Sequence, residues 1–68
     1  MEERGGIIFE FIPRGLYVKV SAICTRTGVE VSIVGDAMAS DNTLRTIAAR
    51  KLERVKAKKA AESPRGRR

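Results

Sequence analysis

Histidine and tryptophan are absent from this chain, and it carries one cysteine and three aromatic side chains in 68 residues. Without histidine there is no side chain whose ordinary pKa sits near neutrality for acid–base work. With a single cysteine, an intrachain disulfide is excluded, and the soft ligands of a transition-metal site are missing. No cofactor or small-molecule substrate is expected. No stretch approaches the ~20 consecutive apolar residues that a membrane-spanning helix needs. The acidic start, Met1-Glu2-Glu3-Arg4, lacks the basic opening, apolar core and small-residue cleavage pattern of a secretory leader. A cytoplasmic setting is therefore expected, and a lone thiol agrees with a reducing compartment.

What the chain does have is positive charge, unevenly placed. Its net charge is +6. Residues 1–44 carry four basic and six acidic side chains, whereas residues 45–68 carry ten basic side chains against Glu53 and Glu62. The positive field thus belongs to the C-terminal third. A chain of this length makes one domain and buries a modest share of its surface. Small domains of this kind gain stability from a partner chain when disulfides and metals are not available.

The apolar pattern predicts an α+β domain, a three-stranded antiparallel β-meander with one C-terminal α-helix packed on one face. Residues 1–5 are expected as a flexible lead-in, 6–57 as the βββα domain, and 58–68 as a basic helix end and disordered tail. Gly6–Ile12, Leu16–Cys24 and Val29–Val34 are rich in β-branched and aromatic residues, which suit a pleated surface. Pro13-Arg14-Gly15 and Thr25-Arg26-Thr27-Gly28 are turn sequences. Closing the first turn around Pro13-Arg14 pairs Phe11 with Leu16, Phe9 with Val18 and Ile7 with Val20. Closing the second around residues 25–28 pairs Ala22 with Val31 and Val20 with Ile33. Both turns then place one apolar set on one face, from Ile7, Phe9 and Phe11 through Leu16, Val18, Val20, Ala22 and Cys24 to Val29, Val31 and Ile33.

The other face is mixed: Ile8, Glu10, Ile12, Tyr17, Lys19, Ser21, Ile23, Glu30, Ser32 and Val34. Scattered exposed aliphatics are ordinary, but five of these ten are large and apolar. Ile8, Ile12, Tyr17, Ile23 and Val34 are accordingly the candidate partner face. Ser40-Asp41-Asn42 is a helix-start signal, with a capping hydroxyl and a negative charge in the first turn. Leu44, Ile47, Ala48, Lys51, Leu52 and Val55 follow at helical spacing, and the helix is expected to run from Asp41 to about Lys59. Its last turn should overhang the sheet.

Candidate chemistry is sparse. Cys24 falls on the predicted core face with no basic neighbour in sequence, as expected of an inert buried thiol. Glu10 and Glu30 on the outer strands suggest surface charge more than a catalytic pair. The loop 35–40 leads into a helix N-terminus, where free N–H groups attract anions, but it holds one glycine and no lysine. The basic helix and tail offer candidate phosphate contacts: Arg45, Arg50, Arg54, Lys56, Lys58, Lys59, Arg65, Arg67 and Arg68. Exposed helices are also Lys/Arg-rich for solubility alone. Only Tyr17 remains as a stacking platform, so nucleic-acid binding through these residues would be sequence-independent.

Two resemblances add to this. A three-stranded antiparallel sheet followed by the Ala-rich helix Thr46-Ile47-Ala48-Ala49-Arg50 is similar to the second half of a double-stranded-RNA-binding domain. That family opens with a helix, for which there is no room here, and has lysines where this chain has Asp41 and Asn42. A broader resemblance runs from residue 6 to about 57. Phe9-Glu10-Phe11, Pro13, Gly15, Tyr17-Val18-Lys19-Val20, Ala22-Ile23, Thr27 through Gly35, then Leu44, Ala48, Lys51-Leu52 and Val55 resemble a small family of alphaproteobacterial proteins, a domain of unknown function. That resemblance implies one compact bacterial cytoplasmic domain and no functional residues. The expected role is a small non-enzymatic accessory or protein-interaction module, self-associating as a homodimer through its sheet, with nonspecific RNA or DNA binding as the alternative.

Overall fold

The structure, a computed structural model, describes residues 1–62. It is α+β: strands β1 (Glu2–Arg4), β2 (Ile7–Arg14), β3 (Tyr17–Cys24) and β4 (Glu30–Asp36) precede a single helix, α1 (Asp41–Glu62). The strands form one antiparallel sheet in the order β1-β2-β3-β4. The sheet has four strands rather than the three expected. Residues 2–4, expected within a flexible lead-in, pair with Ile7–Phe9. Gly5 and Gly6 make this possible with φ of 58° and 84°, a two-residue hairpin turn that only glycine enters without steric cost.

The first long hairpin closes elsewhere than expected. Its turn is Gly15-Leu16, not Pro13-Arg14, so Ile7 pairs with Cys24, Phe9 with Ala22 and Phe11 with Val20. The physical reason is backbone twist. Two-residue hairpins favour positive φ at the first central position; Gly15 supplies it at 63°, whereas proline is locked near −65°. Pro13 stays inside β2, opposite Val18. The register moves by an even number of residues, so every side chain keeps its face. The exception is Leu16, which leaves the expected core set for the turn and is 91% exposed. The second hairpin has the expected register, with Ala22 opposite Val31 and Val20 opposite Ile33.

The helix lies over β3 and β4. Leu44, Ala48 and Leu52 are buried against Phe9, Val18, Val20, Ala22, Cys24 and Val31, with Ile7, Phe11, Val29, Ile33 and Val55 half-buried around them. Ile47, expected in the helix stripe, is half exposed, because full burial follows the narrow three-residue file 44-48-52 rather than a wider stripe. The helix N-terminus is capped by Ser40, whose Oγ accepts the Thr43 N–H at 3.1 Å. The helix continues past Lys59 to Glu62, and residues 57–62 are exposed.

Candidate interaction surfaces

Only one face of the sheet is covered. On the open face, cross-strand pairing arranges the side chains in four rows. The first is Glu3-Ile8-Ile23-Glu30, the second Glu10-Ser21-Ser32, the third Ile12-Lys19-Val34 and the fourth Arg14-Tyr17-Asp36. All five expected partner-face residues lie here. Val34 is 66% and Tyr17 49% exposed; Ile8, Ile12 and Ile23 are half-buried, and Ile8 and Ile23 form a direct cross-strand pair. Between them Ser21 is almost fully buried, and its Oγ lies 3.2 Å from that of Ser32. The face therefore has a closed, satisfied centre and an apolar surround.

The sheet's edges are guarded. At β4, the Lys51 ammonium reaches across from α1 and donates to the Ser32 carbonyl at 2.8 Å. Lys51, half-buried on the helix, thus places its charge on an edge acceptor. At the other side β1 is three residues long and wholly charged, and the exposed half of β2 carries Pro13. Short, charged and proline-bearing edges resist edge-to-edge pairing.

The expected phosphate contacts separate into two groups. Arg45 is held: its Nη1 donates to Glu2 Oε1 at 2.9 Å, and its guanidinium lies 5.8 Å from the Phe11 ring centroid. Lys56 is held too, 3.3 Å from Glu53, and that bond is the first cause raising its pKa. The Glu2 carboxyl is lowered, first by the Arg4 bond at 2.8 Å and also by Arg45. Arg50, Arg54, Lys58 and Lys59 are exposed, with Arg50, Arg54 and Lys58 in one file at four-residue spacing along α1. Arg65, Arg67 and Arg68 lie outside the described residues.

A cleft of about 460 Å³ opens between the Gly5-Gly6 turn, the β3–β4 turn and the helix, lined by Cys24, Arg26, Glu53 and Lys56 among others. Cys24 is buried. Its thiol is held down to about 7, first by the Thr27 hydroxyl and main chain, then by the Arg26 main chain and the Lys56 ammonium, against burial, which pushes it up. No basic residue adjoins Cys24 in sequence. Lys56 arrives from the helix 32 positions away, so only tertiary packing brings this pair together. Glu10 and Glu30 do not meet, because β3 runs between them. The 35–40 loop spends its polar groups on itself: Asp36 Oδ1 accepts the Met38 N–H at 2.8 Å, and Ser40 takes the Thr43 N–H. Among the described residues no three His, Cys, Asp or Glu side chains converge as a metal site would require. Among the described residues no helix is long and apolar enough to cross a membrane.

The family model described as Domain of unknown function (DUF6898) matches residues 4–59. The chain belongs to that family. The matched segment takes in β2, β3, β4 and all but the last three residues of α1, so the open face apart from Glu3 and the exposed basic file both fall within the family's domain. No curated protein and no solved structure matches the chain.

Proposed function

We propose that this chain is a small non-enzymatic accessory module that works by protein contact, self-associating through the open face of its sheet. The observation that carries this is the uncovered row structure: Ile8 and Ile23 side by side, with Ile12, Tyr17 and Val34 around them. With both edges guarded, the face is an apolar surface that remains for assembly. The lack of histidine and the separation of Glu10 from Glu30 favour a binding role over a catalytic one. The alphaproteobacterial, cytoplasmic setting expected from the sequence belongs to the same reading. The test is light scattering across a concentration series with Val34→Asp and Tyr17→Ser, both exposed sites where folding should tolerate change. Concentration-dependent association of the natural chain, lost in Val34→Asp, is expected. A monomer at every concentration, or association indifferent to Val34→Asp, overturns it.

A second reading, nonspecific RNA or DNA binding, is favoured by the exposed file Arg50-Arg54-Lys58. It predicts retention of a labelled duplex at low salt that weakens steeply as salt rises and falls with Arg50→Gln plus Arg54→Gln. No retention at low salt ends it.

A further inference from the structure

Resting on the nucleic-acid reading just given, we infer that the partner of the helix's outer face is duplex DNA, laid along α1 with its phosphates on Arg50, Arg54 and Lys58 and the sheet turned away. The argument starts from a cost. Helices charged for solubility alone interleave acids with bases, so that side chains three or four residues apart attract. Here Arg50, Arg54 and Lys58 follow one another at four-residue spacing and are exposed, and like charges at that spacing destabilise a helix. Among the described residues none of the three is ion-paired. Glu53 flanks Arg50 but is bonded to Lys56, and Glu62 follows Lys58 only at the helix end. A polyanion on this file turns the repulsion into attraction. Glu3, Glu10 and Glu30 lie on the open face of the sheet, away from α1, and Asp41 stands at the helix start. The positive side of the molecule is therefore the middle and end of the helix.

The residues around the file narrow the class of polyanion. An anionic membrane is bound through large apolar side chains beside the cations. On this face Ile47 alone is one, half exposed, while Leu44, Leu52 and Val55 are packed on the sheet. Single strands are held by stacking on aromatic rings, and α1 has none. A duplex, bound by its phosphates, fits what is there. From Arg50 to Lys58 the file is roughly 12 Å long, a length over which one strand of a duplex presents about three phosphates. Residues 57–62 are exposed, and Ala57, Ala60 and Ala61 keep that helix end slim. The major groove of B-form DNA admits an α-helix, whereas that of duplex RNA is deep and narrow. Lys58 and Lys59 offset the negative carbonyl end of the helix, which phosphate would otherwise repel.

Fluorescence anisotropy of the full chain with a labelled DNA duplex, over a potassium chloride series, tests this. The logarithm of affinity should fall linearly with the logarithm of salt. Arg50→Gln, Arg54→Gln and Lys58→Gln should each make that slope shallower by about 0.9, and the three together by about 2.7. Lys19→Gln, the same charge change on the open sheet face, should leave the slope as it is. Circular dichroism checks that each variant keeps its helix. Duplex RNA, single-stranded DNA and phosphatidylserine–phosphatidylcholine vesicles should each bind more weakly than duplex DNA. Any of them binding as tightly overturns the choice of duplex DNA. A slope unmoved by the triple variant, or moved as far by Lys19→Gln as by Arg54→Gln, overturns the helix face and leaves nonspecific nucleic-acid binding standing. A chain that binds no nucleic acid at low salt removes both.

Discussion

At Gly35 the helix and the sheet meet without room for a side chain: a Cβ there would overlap Cδ2 of Leu44, which is itself buried in the core. Gly35→Ala is expected to cost about 1–2 kcal/mol, the overpacking penalty less the gain from a stiffer unfolded chain. The same substitution in a Leu44→Ala background should cost almost nothing, and a double-mutant cycle by urea denaturation measures the difference. Cys24 gives a pH prediction. Its folded pKa of about 7 lies below the ordinary 9.0, so the thiolate is favoured in the folded state. Stability should therefore rise between about pH 7 and 9, be fully present above the ordinary value and be lost as pH falls through 7. Denaturation curves at pH 6.5 and 9 check this, since the rise should vanish in Cys24→Ala. The inert-thiol expectation rests on a core-face position and on the absence of a basic neighbour in sequence. Burial of Cys24 was legible from strand alternation; Lys56 beside it was not, because no local pattern reports which helix turn lands on which strand end.

Among the elements, β1 is the one that sequence periodicity could not find. Three charged residues make no apolar alternation; what makes them a strand is the glycine pair that folds them back and the Glu2–Arg45 bond that ties them to the helix. Gly5→Ala with Gly6→Ala should detach β1 at a cost of about 1–2 kcal/mol per strained residue, or less if the turn opens instead. Hydrogen exchange should show lost protection in Glu2–Phe9 with the β3–β4 hairpin unchanged. The β2–β3 hairpin teaches a related lesson. Its faces were readable because the true register differs from the expected one by an even number, yet the turn itself was misplaced. Proline and glycine both mark turns, but only positive φ matches the twist of a two-residue hairpin, and that preference places the turn at Gly15.

For the whole molecule, a single helix over one face leaves a core of nine buried apolar side chains among the described residues, small enough that a partner contributes measurably. If the open face dimerises, the melting temperature should climb with protein concentration, and the climb should be absent in Val34→Asp. Scanning calorimetry over a hundredfold concentration range reads it. By itself the sequence determined the class of the fold, the side of the sheet that residues of the three long strands face, Leu16 excepted, and the basic character of the helix, because strand and helix periods are local properties of the chain. Only the tertiary structure decided which cations are free. Arg45, Lys51 and Lys56 are consumed by Glu2, the Ser32 carbonyl and Glu53, while Arg50, Arg54 and Lys58 stay exposed. It also decided that the edges are closed and the face is open. Those outcomes depend on where a helix crosses a sheet, a long-range geometry that no window of residues encodes.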